Sequence, residues 1–462
     1  MSWLTRYRIR LYVRNSLWIL PALSIPCALL AARFLIQIEL WMGWTSTVSP
    51  ETARIIMSTV AGSTFTLLVV VSSAMLLAVQ LASAQLTPRI IAMIYRSPHA
   101  KLAFAIFVFT FTFSVAVLAR IEVKVPLVTA YLAAYSFLLD LALFVFFIDN
   151  MGKTLRPSSA LRAVGLAARD VIRDVYPSRL TKDSISPDPL KAIPKNEPRK
   201  IFANEDGAVL AFNLKGLLAL AQKTNSVIEI VPQVGDFIAE GDPLFRIYES
   251  ENRLAETEML NSVAVAEERT LEQDPMFAFR ILVDVASKAL SPAINDPTTA
   301  VLAIDQIHHL LRDIGKRYLA EGLDKDANGR VRLIYRTPDW EDFVQLGTTE
   351  IRQYGRDSIQ VQRRLRAMLE DLIETLPPQR APILEKELAL LGTSLKRAFP
   401  DLDDQVLAES GDLQGIGGSD DDLYEDSQAT ARHAGQAKPA DNTDVKAYAQ
   451  RRSEEDLQSH RN

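Results

Sequence analysis

Residues 56–83 read IMSTVAGSTFTLLVVVSSAMLLAVQLAS, and this stretch decides the fold of the chain. As a helix rising about 1.5 Å per residue, it is long enough to cross the ~30 Å hydrocarbon core of a bilayer. Polar side chains recur within it, and at about 100° per residue they share one face of the helix. They are Thr59, Ser63, Thr66, Ser73 and Gln80. A polar stripe on an apolar helix is expected to face protein or water, so the sequence predicts a membrane-embedded helical bundle.

The stripe has two interpretations. Its hydroxyls and amide can line a pore, or they can hydrogen-bond neighbouring helices. Small residues cluster in the same helix at 61–63, 72–74 and 82–84. Such clusters allow helices to pack closely without any pore, so both interpretations stay open.

Three further apolar segments accompany this one. The four predicted spans are residues 16–38, 56–83, 101–119 and 126–148. Arginine and lysine are concentrated before the first span, between the second and third, and after the fourth. Positively charged loops remain on the cytoplasmic side. The pattern therefore predicts a multi-pass membrane protein with both termini in the cytoplasm.

Asp140 lies well inside the fourth predicted span. A charge at the centre of a bilayer costs at least ~2.5–3.5 kcal/mol, so this side chain is expected to face the bundle interior and find a partner. Arg33 of the first span is an obvious candidate partner, but it is expected to lie at a different depth in the bilayer from Asp140. The expected partners are hydroxyls of the second span, Gln80, or the same residue of a neighbouring subunit. Asp140 either fixes the helix register through hydrogen bonds or handles an ion or proton.

Composition changes sharply along the 462 residues, although the net charge is only −5. The length predicts two or three structural units. A single cysteine, Cys27, excludes an intrachain disulfide and any cysteine-based metal or redox motif. Basic stripes with interleaved aromatic residues, which nucleic-acid binding requires, are absent from the sequence.

The predicted fold class is a four-helix transmembrane domain (residues 1–150) followed by a cytoplasmic α+β region. Residues 151–199 are expected to form an amphipathic helix and a proline-rich linker, and residues 200–250 a small β unit. Within the latter, VGDFIAEGDPLF (234–245) resembles the half-repeat of lipoyl-like barrel-sandwich domains. The lysine that carries a lipoyl or biotinyl group is not apparent. A helical bundle is expected over 251–400 and an acidic disordered tail over 401–462.

Two Asp-Pro pairs predict helix starts in the soluble region, with Asp as N-cap and Pro at the first helical position. They are Asp274-Pro275 and Asp296-Pro297. The second lies in the unusual string SPAINDPTTA. Its residues Asn295, Asp296 and Thr298 are candidate ligand-binding side chains, although capping already accounts for Asp296. His308 and Asp305 have a spacing that metal sites use, but a solvated helix face is the expected environment.

Several strings together resemble a bacterial family of predicted membrane proteins that is classified as a domain of unknown function. They are MSTVAGSTFTLLVVVSSAMLLAVQLASAQLTPRII, VGDFIAEGDPL and RTLEQDPMFAFRILVDVASKALSPAINDPTTAV. The resemblance covers about residues 5–400. It implies an inner-membrane location and this order of domains, and it implies no established activity, so no site residue is carried over.

The leading hypothesis is therefore an oligomeric channel or transport-like protein with a cytoplasmic regulatory domain, in which the stripe and Asp140 line the path of an ion or small molecule. The alternative is a membrane-anchored scaffold or sensor whose cytoplasmic domain binds a partner or small ligand. No nucleophile–base pair, metal set or phosphate-binding loop is recognisable, so we expect no enzymatic activity and no cofactor.

Overall fold

The computed structural model describes residues 2–44, 48–90, 98–121, 125, 127–181, 193–248, 255–319 and 322–417. Within these residues, four helices are long and apolar enough to cross a membrane. They are α2 (Ile19–Met42), α3 (Pro50–Gln85), α4 (Pro98–Leu118) and α5 (Leu127–Thr154). An additional helix, α1 (Trp3–Asn15), precedes them.

The second membrane helix is longer than the bilayer is thick. The 36 residues of α3 rise about 54 Å, against ~30 Å of hydrocarbon. Its carboxyl-terminal half buries Val71, Met75, Ala78 and Ala82 in the largest apolar core of the protein. This helix therefore runs from the membrane into the soluble region without a break.

The expected amphipathic helix after the membrane domain is α6 (Pro157–Val175). Its apolar residues recur at helical spacing, and Leu161, Val164, Ala168 and Ile172 are all fully buried. They belong to the same large core as α3. Of the predicted linker, residues 182–192 lie outside the described residues.

The β region consists of two open sheets rather than a barrel-sandwich. The strands are β1 (Arg199–Phe202), β2 (Gly207–Phe212), β3 (Val227–Ile230), β4 (Phe237–Ile238), β5 (Pro243–Tyr248), β6 (Val263–Ala266), β7 (Leu323–Lys325) and β8 (Val331–Tyr335). The five-stranded sheet has the order β1-β5-β3-β8-β7 and the three-stranded sheet β4-β2-β6. Both sheets contribute to one apolar core, which includes Val209, Ile228 and Leu333.

The boundary that the sequence places at residue 250 does not separate strands from helices. Strand β8 pairs in parallel with β3, matching Ile228 with Leu333. Strands β7 and β8 form a hairpin whose connection contains Gly329 at φ 77°. The residues Asn328-Gly329, just before the strand VRLIY, are a turn signal typical of a hairpin, so this turn could be predicted from the sequence.

Helices cover most of the rest of the soluble region. They are α7 (Leu214–Lys223), α8 (Glu256–Leu260), α9 (Pro275–Ala289), α10 (Pro297–Ile314), α11 (Trp340–Tyr354), α12 (Ile359–Thr375), α13 (Ala381–Ala398) and α14 (Leu402–Glu409). Residues 340–375 form two helices rather than one, because the chain turns at Gly355 between α11 and α12.

The acidic tail does not begin at residue 401. Helix α14 follows Pro400, and Asp412 is fully buried with its carboxylate accepting the backbone N–H groups of Gly415 and Gly417, each at 2.7 Å. The Arg363 guanidinium donates to the carbonyls of Ser410 and Gly417, both at 3.2 Å. Residues 401–417 are therefore part of the fold, and residues 418–462 lie outside the described residues.

Candidate functional site: two faces of the second membrane helix

The polar stripe of α3 lies on the outer surface of the single-chain bundle. Thr59, Thr66, Ser73 and Gln80 are exposed, and Ser63 is partly exposed. The opposite face of the helix is buried through Met57, Val60, Thr64, Val71, Met75, Ala78 and Ala82. The expectation that the stripe turns inward is therefore not met within one chain, since the inward face is taken by these residues.

Some of the stripe hydroxyls are satisfied by their own helix. The Thr59 hydroxyl donates to the Ile55 carbonyl at 2.8 Å, and the Thr66 hydroxyl donates to the Gly62 carbonyl at 2.9 Å. Among the described residues, the side chains of Ser63, Ser73 and Gln80 make no hydrogen bond. Two of these three side chains, Ser73 and Gln80, lie in the carboxyl-terminal half of α3, so most of the polar groups of the stripe that are available to water or to another chain are found there.

Asp140 is fully buried between three membrane helices. Its carboxylate accepts hydrogen bonds from the Thr64 hydroxyl of α3 at 3.2 Å and the Thr110 hydroxyl of α4 at 3.1 Å. A second-span hydroxyl is thus a partner, as expected, but it belongs to Thr64 and not to the stripe. Gln80 is not a partner, and Arg33 is exposed on α2. Within the described part of the chain, Asp140 has no cationic partner.

The stripe and Asp140 lie on opposite faces of α3, because Thr64 points to the interior and its neighbour Ser63 to the outer side. A single aqueous path along one face of this helix therefore cannot contain both. This separation of the two candidate groups is a result of packing that helical periodicity alone does not reveal.

Glu39 is a second buried carboxylate in the membrane region, and it was not among the candidates predicted from the sequence. It is 2% exposed near the end of α2. Its carboxylate accepts the backbone N–H of Thr129 at 2.7 Å and of Val128 at 3.2 Å, and also the Thr129 hydroxyl. Glu39 thereby caps the first turn of α5, where a negative charge is favourable. The available signal was an acidic residue ending an apolar run.

The candidate ligand residues in the soluble region surround the start of α10. Asp296 accepts the backbone N–H of Thr299 at 3.0 Å and the Thr299 hydroxyl at 2.5 Å. Asn295 adopts φ 49°, a left-handed conformation that asparagine tolerates well. The side chains of Asn295 and Thr298 are exposed. The N-cap role of Asp296 is confirmed, and both of its carboxylate oxygens already accept hydrogen bonds from Thr299.

His308 is not on a solvated helix face, contrary to expectation. Its side chain is 13% exposed. Its Nε2 lies 2.7 Å from the Asp371 carboxylate and its Nδ1 lies 3.3 Å from the Arg364 guanidinium. Burial, and then the positive charge of Arg364, lower the His308 pKa despite the neighbouring carboxylate. A neutral ring with Nε2 protonated satisfies both contacts.

Metal binding has no geometric support in the described part of the chain, where no three or more His, Cys, Asp or Glu residues are grouped to hold an ion. His308 and Asp305 instead both contact Arg364, whose Nε lies 2.7 Å from the Asp305 carboxylate. The spacing of these residues along α10 reflects an ion-pair network with α12.

A polar junction connects the end of α3 to α9. The Lys288 ammonium donates to the Ser83 carbonyl at 2.8 Å, in the last turn of α3, where a cation is favourable. Asp284 forms ion pairs with Arg89, which follows α3, and with Arg280 of its own helix. Arg280 also binds Glu350 of α11 at 2.6 Å. Movement of α3 would therefore reach α9 directly and α11 through Arg280.

Comparison with known proteins agrees with the membrane character of the chain. Residues 14–371 match the family model described as "Predicted membrane protein (DUF2254)". The chain is similar to the uncharacterized proteins Mb1321c of Mycobacterium bovis and Rv1290c of Mycobacterium tuberculosis. Each is 23% identical over 414 residues, which cover 86% of this chain and 79% of the relative. No solved structure matches the chain. The chain therefore belongs to this family of predicted membrane proteins of unknown function.

Proposed function

We propose that the protein is a homo-oligomeric membrane channel whose pore is lined by the polar stripe of α3. The observation that carries the proposal is the exposure of this stripe opposite the buried face of the helix. Polar side chains that face lipid are disfavoured, whereas several copies of α3 around one axis would bring the stripes to a shared aqueous path. Four spans per chain are few for an alternating-access carrier, which also favours a pore between subunits.

In this proposal Asp140 is a structural residue outside the permeation path. It joins α3, α4 and α5 through two hydroxyl groups, and it lies behind the pore-lining face. This modifies the hypothesis drawn from the sequence, which placed Asp140 in the path together with the stripe.

The soluble region would regulate the pore through the end of α3. Lys288 and Asp284 of α9 contact the last turn of α3 and the segment after it. A ligand that shifts α9 would therefore act on the pore-lining helix without an intervening flexible joint. Nothing in this role requires catalysis, and we propose that the protein is not an enzyme.

For its location we propose the inner membrane, with both termini in the cytoplasm. The arrangement of positive loops supports this orientation. Helix α1 packs on the soluble sheet through Leu4, Tyr7 and Leu11, which is consistent with an N-terminus on the same side as the soluble region.

Ion flux into proteoliposomes tests the channel directly. Ser73→Leu combined with Gln80→Leu is expected to lower flux roughly tenfold, because apolar side chains raise the barrier at a pore wall. Ser72→Leu is the matched control, since Ser72 is exposed on the flank of the stripe and donates to the Leu68 carbonyl. The absence of wild-type flux at every pH and voltage, or equal losses in both variants, would refute the proposal.

Disulfide crosslinking tests the assembly. In a Cys27→Ala background, Ser73→Cys is expected to link two chains under mild oxidation, because the stripes of neighbouring copies face one axis. Ser72→Cys should link them much less. If neither variant forms crosslinked chains, the proposal of a pore shared between subunits is refuted.

The alternative is a membrane-anchored scaffold or sensor. It is supported by Thr59 and Thr66, whose hydroxyls bond to their own helix and therefore need no water. It predicts that Ser73→Leu and Gln80→Leu are harmless, while substitution of Asn295 or Thr298 abolishes binding of a soluble partner or ligand.

A further inference from the structure

Helix α1 has one face that the rest of the protein covers. Leu4, Tyr7 and Leu11 recur at helical spacing and pack, together with Trp3, on the three-stranded sheet. Their partners on β2 and β6 are Leu210, Ala211 and Ala264. The sheet therefore holds α1 in a defined rotation, and the opposite face of the helix points away from it.

The uncovered face combines positive charge with apolar side chains. Arg6, Ile9, Arg10 and Val13 fall on it at about 100° per residue. Ile9 is 47% exposed and Val13 is 48% exposed. A helix that only served to cover the sheet would be expected to present polar residues at these two positions.

The four arginines of α1 divide into two pairs. Arg8 binds Glu205 at 2.6 Å and Arg14 binds Glu272 at 3.2 Å. Arg6 and Arg10, by contrast, make no side-chain hydrogen bond or ion pair with the described residues. The two guanidinium groups without a partner are thus the two that share a face with Ile9 and Val13.

The position of α1 relative to the membrane helices is set by Lys101. Its ammonium group donates to the backbone carbonyls of Arg14 at 2.6 Å and Val13 at 3.3 Å. Lys101 lies in the first turn of α4, and α2 begins four residues after α1 ends. Trp18, between α1 and α2, is 60% exposed. The carboxyl end of α1 therefore lies where two membrane helices enter the bilayer.

We propose that the outward face of α1 binds the headgroups of anionic phospholipids in the leaflet next to the soluble region. A guanidinium group can bind phosphate oxygens through two parallel hydrogen bonds. Ile9 and Val13 would contact the boundary between headgroups and acyl chains, as in amphipathic helices that lie in the interface. The proposal does not depend on the channel, because α1 is not part of the α3 stripe.

Native mass spectrometry of the full chain in detergent tests the proposal, with phosphatidylglycerol and phosphatidylcholine as probes. The wild-type protein is expected to retain phosphatidylglycerol preferentially. Arg6→Gln with Arg10→Gln should weaken that retention on the order of tenfold, given the usual contribution of each basic residue near an anionic surface. An unchanged melting temperature of the variant, expected because neither side chain has an internal partner, shows that it is folded.

Arg8→Gln with Arg14→Gln is the matched control, since it removes the same charge from the paired arginines. An equal loss in this control would show that only net charge matters and would overturn the assignment, as would a wild-type protein without preference for phosphatidylglycerol. Displacement of the lipid by excess inorganic phosphate would assign the site to a free anion and would also overturn it.

Discussion

Asp140 shows how a carboxylate can be accommodated within the membrane helices. Two hydroxyls on different helices, Thr64 and Thr110, donate to its two oxygens. Asparagine can replace it, because an amide accepts one hydrogen bond, donates another, and a hydroxyl can take either role. We expect Asp140→Asn to retain stability and Asp140→Leu to lose roughly 1–3 kcal/mol, since two buried hydroxyls lose their partner. Thermal melting of the purified protein measures both.

The Asp140→Asn substitution also tests the proposed function. Since Asp140 lies behind the proposed pore-lining face, Asp140→Asn is expected to leave ion flux unchanged. A flux that falls while the melting temperature stays the same would place Asp140 in the transport mechanism and contradict the assignment made above.

The environment of His308 predicts how the folding stability of the protein depends on pH. Its folded-state pKa lies below the ordinary value of about 6.5, because burial disfavours the charged ring. The unfolded chain therefore takes up the proton first. The stability that His308 contributes is fully present above pH ~6.5 and is lost as the pH falls through the folded-state pKa.

Melting curves between neutral and mildly acidic pH measure this effect. The wild-type protein is expected to lose melting temperature on acidification, and His308→Gln should lose less, because glutamine keeps a donor toward Asp371 without titrating. His309→Gln is the comparison: burial lowers the pKa of His309 as well, but its ring is more exposed, so the substitution is expected to change the pH dependence less than His308→Gln. Equal pH dependence in the wild type and His308→Gln would show that other groups dominate.

At the scale of elements, the two Asp-Pro helix starts differ in what surrounds them. Asp296 caps α10 and contacts only its own first turn. Asp274 caps α9 through the Phe277 N–H at 3.0 Å and also binds the Arg269 guanidinium at 2.6 Å. Asp274 is 3% exposed, and Gly235 at φ 93° leaves room for this pair. The Asp274 cap is therefore also one partner of an ion pair, in which the carboxylate is buried and the guanidinium is partly exposed.

We expect Asp296→Ala to cost about 1 kcal/mol, the usual value of an N-cap. Asp274→Ala should cost more, about 2–4 kcal/mol, because Arg269 also loses a charged hydrogen-bond partner while its guanidinium stays partly hydrated. For a region of this size, each kcal/mol lowers the melting temperature by about 2–4 °C. Similar losses in the two variants would mean that the Arg269 contact adds nothing.

At the scale of the whole molecule, one apolar core joins the membrane helices to the soluble region. It includes Val71 of α3, Phe107 of α4, Leu161 of α6, Phe279 of α9 and Leu311 of α10. The two regions are therefore packed against each other and are not merely connected by a linker. A signal from the soluble region would reach α3 through direct contact.

The carboxyl end of the described chain completes this packing. A chain ending at residue 417 keeps α14, Asp412 and the carbonyls of Ser410 and Gly417 that bind Arg363. A chain ending at residue 400 loses them and also exposes Leu395 and Phe399, which form an apolar cluster with Ala408. We expect the shorter chain to melt several degrees lower, and equal melting temperatures would show that residues 401–417 contribute little.

Sequence alone determined the features that depend on local composition and spacing. The membrane character of α3 follows from its apolar length, and the starts of α9 and α10 follow from the Asp-Pro pairs, because capping involves only the first turn of the same helix. The turn before β8 was also within reach through Asn328-Gly329. Periodicity correctly grouped the stripe residues on one face.

Only the tertiary structure decided what each face contacts. Periodicity defines faces but not neighbours, so it could not show that the stripe points outward while Thr64 turns inward to Asp140. The partners of Glu39, His308 and Arg363 are likewise distant in the chain. Whether a polar side chain is buried and satisfied depends on which helices pack together, and that is a property of the assembled fold.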